Sequence, residues 1–426
     1  MIINILVILF IVFLMIGGFG LIMPLIGGTL ALVILNNASL DISMIIQQYS
    51  AGVSTFALLA IPMFIFAAEI MSFGNTANSL VEVVKAYCGH IFGGLAVTVA
   101  GACTAFGAIS GSANATVVAI GKPMRTRMLN SGYDEKNTDA LICSSAIIAS
   151  LIPPSINMVM YCVLSNTSVG ELFVAGVLPG ITIFLLFAIY NYFYAKWNNI
   201  PRTERLTWKE RLHVTKRGAL ALGFPILIIG GIYSGLFTAT EAAAASVVYA
   251  LICEMLIFRT VKIRDLGKLA LSTAVMTGSI FILIAVGQGF SWVIAYLQIP
   301  QAIVTTMLGT APSTIRILLV VSFAFFIGCM FVDQIVAMLI LLPIFMPVAL
   351  AAGIDPVYLG VVVSVQSAIG CVTPPFGSNI FVACAAFNRP YVQIVKGLPP
   401  YLLILIGYSL LILFVPRLVT VYELFF

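Results

Sequence analysis

Four short stretches break otherwise apolar runs, and they do so with the residue types that hold a bare cation. The first reads Ser110-Gly-Ser-Ala-Asn-Ala-Thr116 and the second Ile152-Pro-Pro-Ser-Ile-Asn157. The third runs from Gly328 to Asp333 and Gln334, and the fourth is Gly370-Cys-Val-Thr373-Pro-Pro-Phe-Gly377-Ser-Asn379. A proline inside a helix removes an N–H and clashes with the carbonyl one turn back, so each Pro–Pro pair leaves carbonyls without intrahelical partners. Glycine lets the chain reverse at the other two stretches. Freed carbonyls together with hydroxyl and amide oxygens are the ligands a hard cation such as Na⁺ needs once it is stripped of water. Candidate ligands are Ser110, Ser112, Ala149, Ile152 and Pro153 for one site, and Gly328, Asp333, Gly370, Thr373 and Pro374 for the other. Half-helix N-termini at such breaks favour an anionic group. Ser110, Asn114, Asn157, Ser378 and Asn379 are therefore candidate solute-binding residues, with Arg125 as a cationic alternative.

Three carboxylates in or near apolar runs need separate reading. A charge at the bilayer centre costs about 3 kcal/mol or more unless it is partnered, so Asp333 is a functional candidate; a helix-cap role is the alternative. Glu241 follows Thr238 by three residues, the spacing of a capping box, which points to structure. Glu69 fits a structural role or an anchor for a partner helix.

The breaks come in two copies. Gly107, Gly132, Asp134, Pro153, Pro154, Gly176 and Pro179 recur 221 positions later as Gly328, Gly353, Asp355, Pro374, Pro375, Gly397 and Pro400, without a gap. These residues shape the backbone, so architecture repeats and not mere apolarity. Paired broken-helix segments in a hydrophobic chain are the mark of a transporter built from internal repeats.

The rest of the chain must hold these segments in a membrane. Of its 426 residues 62% are hydrophobic and 8% charged, against about 25% charged in a soluble domain. Apolar runs of the ~20 residues that cross a bilayer recur throughout. The first has no basic flank or small-residue cleavage site of a signal peptide. The net charge of +5 is spread between spans, which argues against nucleic-acid binding. Eight cysteines without a CxxC pair read as small packing residues, and two histidines cannot build a histidine metal site. No acid, base or metal cluster suits an enzyme.

Spans are expected near 2–18, 20–36, 54–74, 137–165, 172–195, 219–236, 238–258, 269–298, 357–386 and 394–416, with a short apolar piece near 300–310. Polar-tipped segments lie at 90–121 and 313–346. The basic stretch Lys196–Arg217 is assigned to the cytoplasm by the positive-inside rule, as are Lys85, Lys122, Arg125, Arg127, Lys136, Arg259, Lys262, Arg264, Lys268, Arg389 and Lys396. Segment 90–121 then starts and ends on one side and must be a re-entrant hairpin; its counterpart at 313–346 enters from the other side. The expected fold is an all-α polytopic membrane protein of two inverted repeats, 1–200 and 218–426, each with about five spans and one hairpin. They are joined by a cytoplasmic linker at 201–217, and both termini are outside.

The motifs Ser110-Gly-Ser-Ala-Asn-Ala-Thr116, Pro153-Pro-Ser155, Phe237-Thr-Ala-Thr-Glu-Ala-Ala-Ala244 and Thr373-Pro-Pro-Phe-Gly377 resemble those of a known family. It is the large, DctM-like membrane subunit of tripartite ATP-independent periplasmic (TRAP) transporters. Pro62-Met-Phe, Gly132-Tyr-Asp134 and Gly353-Ile-Asp-Pro356 extend the likeness nearly end to end. One departure is Ala149, where a glycine commonly precedes the first Pro–Pro pair; its mate is Gly370. The resemblance implies an elevator-type importer in the bacterial inner membrane. It implies coupling to two or more Na⁺ ions and no ATP or organic cofactor. It also implies a periplasmic binding protein and a separate small four-helix subunit as partners. The cargo would be a carboxylate-bearing organic acid, a C4-dicarboxylate or an acidic sugar such as sialic acid. A stand-alone dicarboxylate or anion symporter without a binding protein is the alternative.

Overall fold

The computed structural model describes residues 22–36, 41–300 and 313–420, with scattered positions between 4 and 14. The spans expected at 2–18 and 300–310 fall largely outside them, as do both chain termini. Among the described residues every regular element is helical. Seven stretches are long and apolar enough to cross a membrane: Phe56–Phe73, Val169–Trp197, Trp208–Tyr233, Ala239–Ile257, Ile263–Tyr296, Thr314–Phe331 and Gln334–Ala351.

The polar-tipped segments are hairpins of helices. Gly94–Ser110 runs in, the chain reverses at Gly111 and Ser112, and a continuous return arm passes through Val117–Gly121 to Asn130. Gly111 sits at φ 59°, the left-handed region that suits glycine. A Cβ there would also strike the carbonyl of Pro154, so the tip is held against the first Pro–Pro break. The second hairpin pairs Thr314–Phe331 with Gln334–Ala351 through Val332 and Asp333. Ser112 and Asp333, which stand 221 positions apart, are both N-caps: Ser112 Oγ accepts from Ala115 N at 3.4 Å, and Asp333 Oδ1 from Ile335 N at 3.0 Å.

The broken spans stop half-way. Helix Glu135–Ala146 ends in a tight turn at Ile147–Ser150 and restarts as Ile156–Ser165; Pro356–Gly370 restarts as Ser378–Phe387. The peptide bonds within both Pro–Pro pairs are cis. Each restarted half has 10 residues, about 15 Å at 1.5 Å per residue, half of a ~30 Å hydrocarbon core. The breaks therefore fall near mid-depth.

The two copies clasp each other reciprocally. Ile156–Ser165 packs on the second hairpin's arm Gln334–Ala351, and Ser378–Phe387 packs on Val117–Gly121 of the first hairpin. Glu135–Ala146 meets Pro399–Phe414, as Pro356–Gly370 meets Val169–Trp197. A second layer forms around these: Ala60–Phe73 lies on Ala239–Leu251, and Thr76–Cys88 on Trp208–Tyr233.

Ala149 and Gly370 are explained by this packing. In the first copy Gly107 of the hairpin faces Ala149 so closely that a Cβ on the glycine would meet the Ala149 Cα at 2.6 Å. In the second copy both positions are glycine and Gly370 carries the tight contact: a Cβ there would lie 2.5 Å from Cys329 Cβ and 2.8 Å from the Phe326 carbonyl. One small residue suffices at each crossing. Gly370→Ala should lower stability by about 1–3 kcal/mol, since neither obstacle is a flexible chain end. Gly328→Ala, whose Cβ first meets the tip of Leu341 at 3.0 Å, should cost much less. Melting midpoints in detergent decide this; equal losses would refute the close-packing account.

Three expectations are corrected. Helix Ile42–Val53 falls between the expected spans: Gln47, Gln48 and Ser50 interrupt its apolar pattern, yet Asp41 Oδ1 caps it through Ser43 N at 2.9 Å and it packs along Ile263–Tyr296. The linker at 201–217 is shorter, because Thr207 and Glu210 form a capping box that starts the next span at Trp208. The first hairpin extends past 121, because no glycine turn stops the return arm before Ser131.

Candidate functional site

A cavity of about 440 Å³ opens where the two hairpin tips meet the two breaks. Its wall is made from helix beginnings: Ser112–Ala115, Ile156–Asn157, Asp333–Ile335 and Ser378–Asn379, with Ser150 from the turn before the first break. Four first turns thus turn their positive dipole ends toward one space, although Ser112 Oγ, Asp333 Oδ1 and the Cys371 carbonyl already accept from Ala115 N, Ile335 N and Asn379 N. The remaining wall is Gly111, Val118 and Val382, together with Met276 and Ile280 from the long helix Ile263–Tyr296.

Polar contacts knit the wall across the two copies. Asn157 Nδ2 donates to Gln334 Oε1, joining the first break to the second tip. Asn379 Nδ2 donates to the Cys143 carbonyl at 3.3 Å, joining the second break to the first broken span. These bonds leave acceptors over. Asn114 Oδ1, Asn379 Oδ1 and Ser150 Oγ are buried and lack a hydrogen-bond partner. Buried oxygens without a donor are costly unless something else satisfies them. Asp333 is the one ionisable side chain of the described wall. The donor set, neutral oxygens and one carboxylate, fits Na⁺.

Of the residues singled out from sequence, Ser112, Asn114, Asn157, Asp333, Ser378 and Asn379 share this cavity. Ser110 sits behind the first tip, its hydroxyl 3.2 Å from Thr116 Oγ1 and 3.4 Å from the Ser112 carbonyl. Ala149, Ile152 and Pro153 are buried in the first break, and Ile152 packs against Gly180. Gly370 is at the crossing of the second hairpin with its own break, Gly328 faces Leu341 and Ala337 of that hairpin's return arm, and Thr373 Oγ1 donates to the Ile369 carbonyl at 2.7 Å. Pro374 is half-buried in that break. These backbone candidates flank the cavity without lining it.

Arg125 requires a correction. It is not in the cavity wall. Its guanidinium lies 2.6 Å from Asp139 and 3.0 Å from Glu135, and Arg389 joins the same carboxylates at 2.6 Å to Glu135 and 3.5 Å to Asp139. Two arginines and two carboxylates neutralise one another there, so Arg125 ties the first hairpin's return arm to the start of the first broken span, to which Arg389 ties the end of the second. The described cavity wall thus presents helix N-termini and amides, and no Lys, Arg or His.

Sequence reasoning passed over Ser150, Met276 and Ile280, and did not rank Gln334 as a site residue. Gln334 carried a signal in its place beside Asp333. Met276 and Ile280 share a helix face, but nothing local says that this face reaches the site.

A family model described as "Tripartite ATP-independent periplasmic transporter, DctM component" matches residues 7–418. The chain is 48% identical over 401 residues, 94% of each protein, to the ectoine/5-hydroxyectoine TRAP transporter large permease protein UehC of Ruegeria pomeroyi. It is 49% identical over 371 residues, 87% of each, to the ectoine TRAP transporter large permease protein TeaC of Halomonas elongata. The C4-dicarboxylate TRAP transporter large permease protein DctM of Pseudomonas aeruginosa is 37% identical over 363 residues, covering 85% of this chain and 84% of that one. Among solved structures, the YdaH transporter of Alcanivorax borkumensis superposes with a TM-score of 0.63 at 15% identity, over 88% of this chain and 87% of that one, a likeness of fold alone.

Proposed function

Because the chain belongs to the DctM component family of tripartite ATP-independent periplasmic transporters, we propose that it carries a small carboxylate solute across the inner membrane, driven by Na⁺. The observation that supports this most is the cavity itself, where four helix N-termini converge on a wall with one carboxylate. The N–H groups of the first turns can hold an anionic head. Asp333, the spare oxygens of Asn114, Asn379 and Ser150, and the carbonyls freed at the two breaks can hold cations. Two such sites, one per copy, predict two or more Na⁺ ions.

In this reading a periplasmic binding protein delivers the solute, and a small membrane subunit braces the outer layer of helices. The hairpins and broken spans, clasped reciprocally, move as one body against that layer, in the manner of an elevator. The copies are inverted and both termini are periplasmic. Each net positive charge carried inward gains about 2.3 kcal/mol per 100 mV of membrane potential.

For the cargo we favour a solute of the ectoine type, a compact carboxylate that carries its own delocalised cation. The relatives named for ectoine stand at 48% and 49% identity, against 37% for the C4-dicarboxylate protein. The absence of any Lys, Arg or His from the described wall also suits a zwitterion better than a dianion. The C4-dicarboxylate reading is second, and the acidic-sugar expectation is not carried forward.

Two measurements test the reading. Purified protein should melt higher in Na⁺ than in equal K⁺ or choline; a ligand at ~100 times its dissociation constant contributes about 2.7 kcal/mol. In cells producing the chain with its partner subunits, Na⁺-dependent uptake of labelled ectoine should be resisted by excess 5-hydroxyectoine and not by succinate. Equal melting in Na⁺ and K⁺ would remove sodium coupling; competition by succinate alone would move the cargo to the dicarboxylates.

A further inference from the structure

Away from the cavity, three arginines of the basic segment gather around the turn that precedes the first hairpin. Arg211 is 5% exposed, and its Nη2 lies 3.3 Å from His90 Nδ1. Its guanidinium carbon stands 5.2 Å from the Trp208 ring centre and 5.8 Å from that of Tyr87. Its Nε is buried without a hydrogen-bond partner. Arg202 is stacked 3.5 Å over the Phe92 ring, and the neighbouring Thr203 hydroxyl donates to the Gly89 carbonyl. Partial loss of hydration, then the charges of Arg211 and Arg205, hold His90 below the usual imidazole range, and Arg205 lies between Arg202 and Arg211 in the same segment.

Glu204 stands between Arg202 and Arg205 in sequence, but it is exposed and in no ion pair among the described residues. Among the described residues none of the three arginines is in an ion pair. The nearest acid along the helix, Glu210, is committed to its capping box, where it accepts from Thr207 N at 2.7 Å and from the Thr207 hydroxyl at 2.8 Å. A buried guanidinium without a counter-charge is strongly unfavourable, which makes the spot receptive to an anion. The flanks say where the cluster lies. Trp197 closes one membrane helix and Trp208 opens the next, and they are 75% and 72% exposed, with Leu206 and Leu212 beside them. Exposed tryptophans at helix ends mark the headgroup level of a bilayer.

We propose that Arg202, Arg205 and Arg211 form a binding site for an anionic phosphate group, which a phospholipid headgroup of the basic-residue side of the membrane supplies. Arginine suits the task because its planar fork matches phosphate oxygens. A lipid held there bridges the linker to the root of the first hairpin, at the residues 87–92 that the arginines already touch.

The test uses the detergent-solubilised full chain and reads the melting midpoint against added dihexanoyl phosphatidylglycerol, dihexanoyl phosphatidylcholine and inorganic phosphate. Phosphatidylglycerol should raise the midpoint and phosphatidylcholine should not. Loss of one charge-assisted contact should weaken the phosphatidylglycerol response about tenfold in Arg205→Gln and in Arg211→Gln. Arg205 is exposed, so its variant keeps the test valid if loss of the buried Arg211 unfolds the chain. If inorganic phosphate reproduces the effect with the same arginine dependence, the site stands and its source is a soluble anion. Equal responses to the two lipids, or an unchanged response in Arg205→Gln, would overturn the proposal.

Discussion

Asp333→Asn should abolish most of the stabilisation that Na⁺ confers, while leaving the Na⁺-free protein close to its original stability. The two halves of this result have different causes. As an N-cap, Asp333 gives one oxygen to Ile335 N at 3.0 Å, and asparagine caps a helix about as well as aspartate. The substitution therefore spares the turn and removes the charge. What goes is the single carboxylate of the described wall, whose other polar members are neutral. Those N-termini repel a cation, so without the carboxylate the apparent Na⁺ affinity should fall by roughly tenfold or more, about 1.4 kcal/mol for each tenfold step. Sodium titrations followed by melting, and Na⁺-dependent uptake, read the effect. Asp41→Ala, which removes the N-cap of Ile42–Val53 outside the cavity wall, is the control for losing a cap alone. If Asp333→Asn keeps the full Na⁺ response, the carboxylate is a helix cap and nothing more.

Glu254→Ala should be among the most destabilising single changes outside the cavity, at about 3 kcal/mol or more, since each buried donor it strands costs about 1–3 kcal/mol. Glu254 is fully buried in the π-helical turn Ile252–Ile257. Its carboxylate accepts from Asn75 N and Thr76 N, both at 3.2 Å, and from the hydroxyls of Thr76 and Thr260. A Cβ on Gly74 would overlap the carboxylate, so that glycine is what admits it. One side chain from the second copy thus caps the amphipathic helix Thr76–Cys88 of the first, some 178 residues away. Alanine would strand four donors, two of them main-chain, and those of Thr76 are fully buried. Glu241→Ala is the comparison, because Glu241 satisfies only its own capping box at the surface. Equal melting losses in the two variants would show that the Glu254 network contributes nothing special.

Glu254 also marks a limit of sequence reading. Glu69 and Glu241 draw attention because they stand in or beside apolar spans, and Glu241 even has its capping partner three residues away. Glu254 stands in a span just as plainly, but its donors at 75, 76 and 260 belong to other elements. Arg125 shows the same limit from the other side. Its charge and position suit a solute carboxylate, until the fold brings Glu135, Asp139 and Arg389 to it.

What the chain of residues determined alone was the membrane setting, the helical breaks and their two copies. Proline, glycine and N-cap residues act within a few positions of themselves, and hydrocarbon enforces internally satisfied helices, so the local pattern is sufficient. Tertiary structure decided which of those breaks face a common cavity, that Asn157 reaches Gln334, and that Met276 and Ile280 close the wall. It also decided which charges are free and which are spent. These outcomes depend on how helices more than a hundred residues apart cross one another. That crossing is set by the summed fit of many small contacts, and no single residue's spacing encodes it.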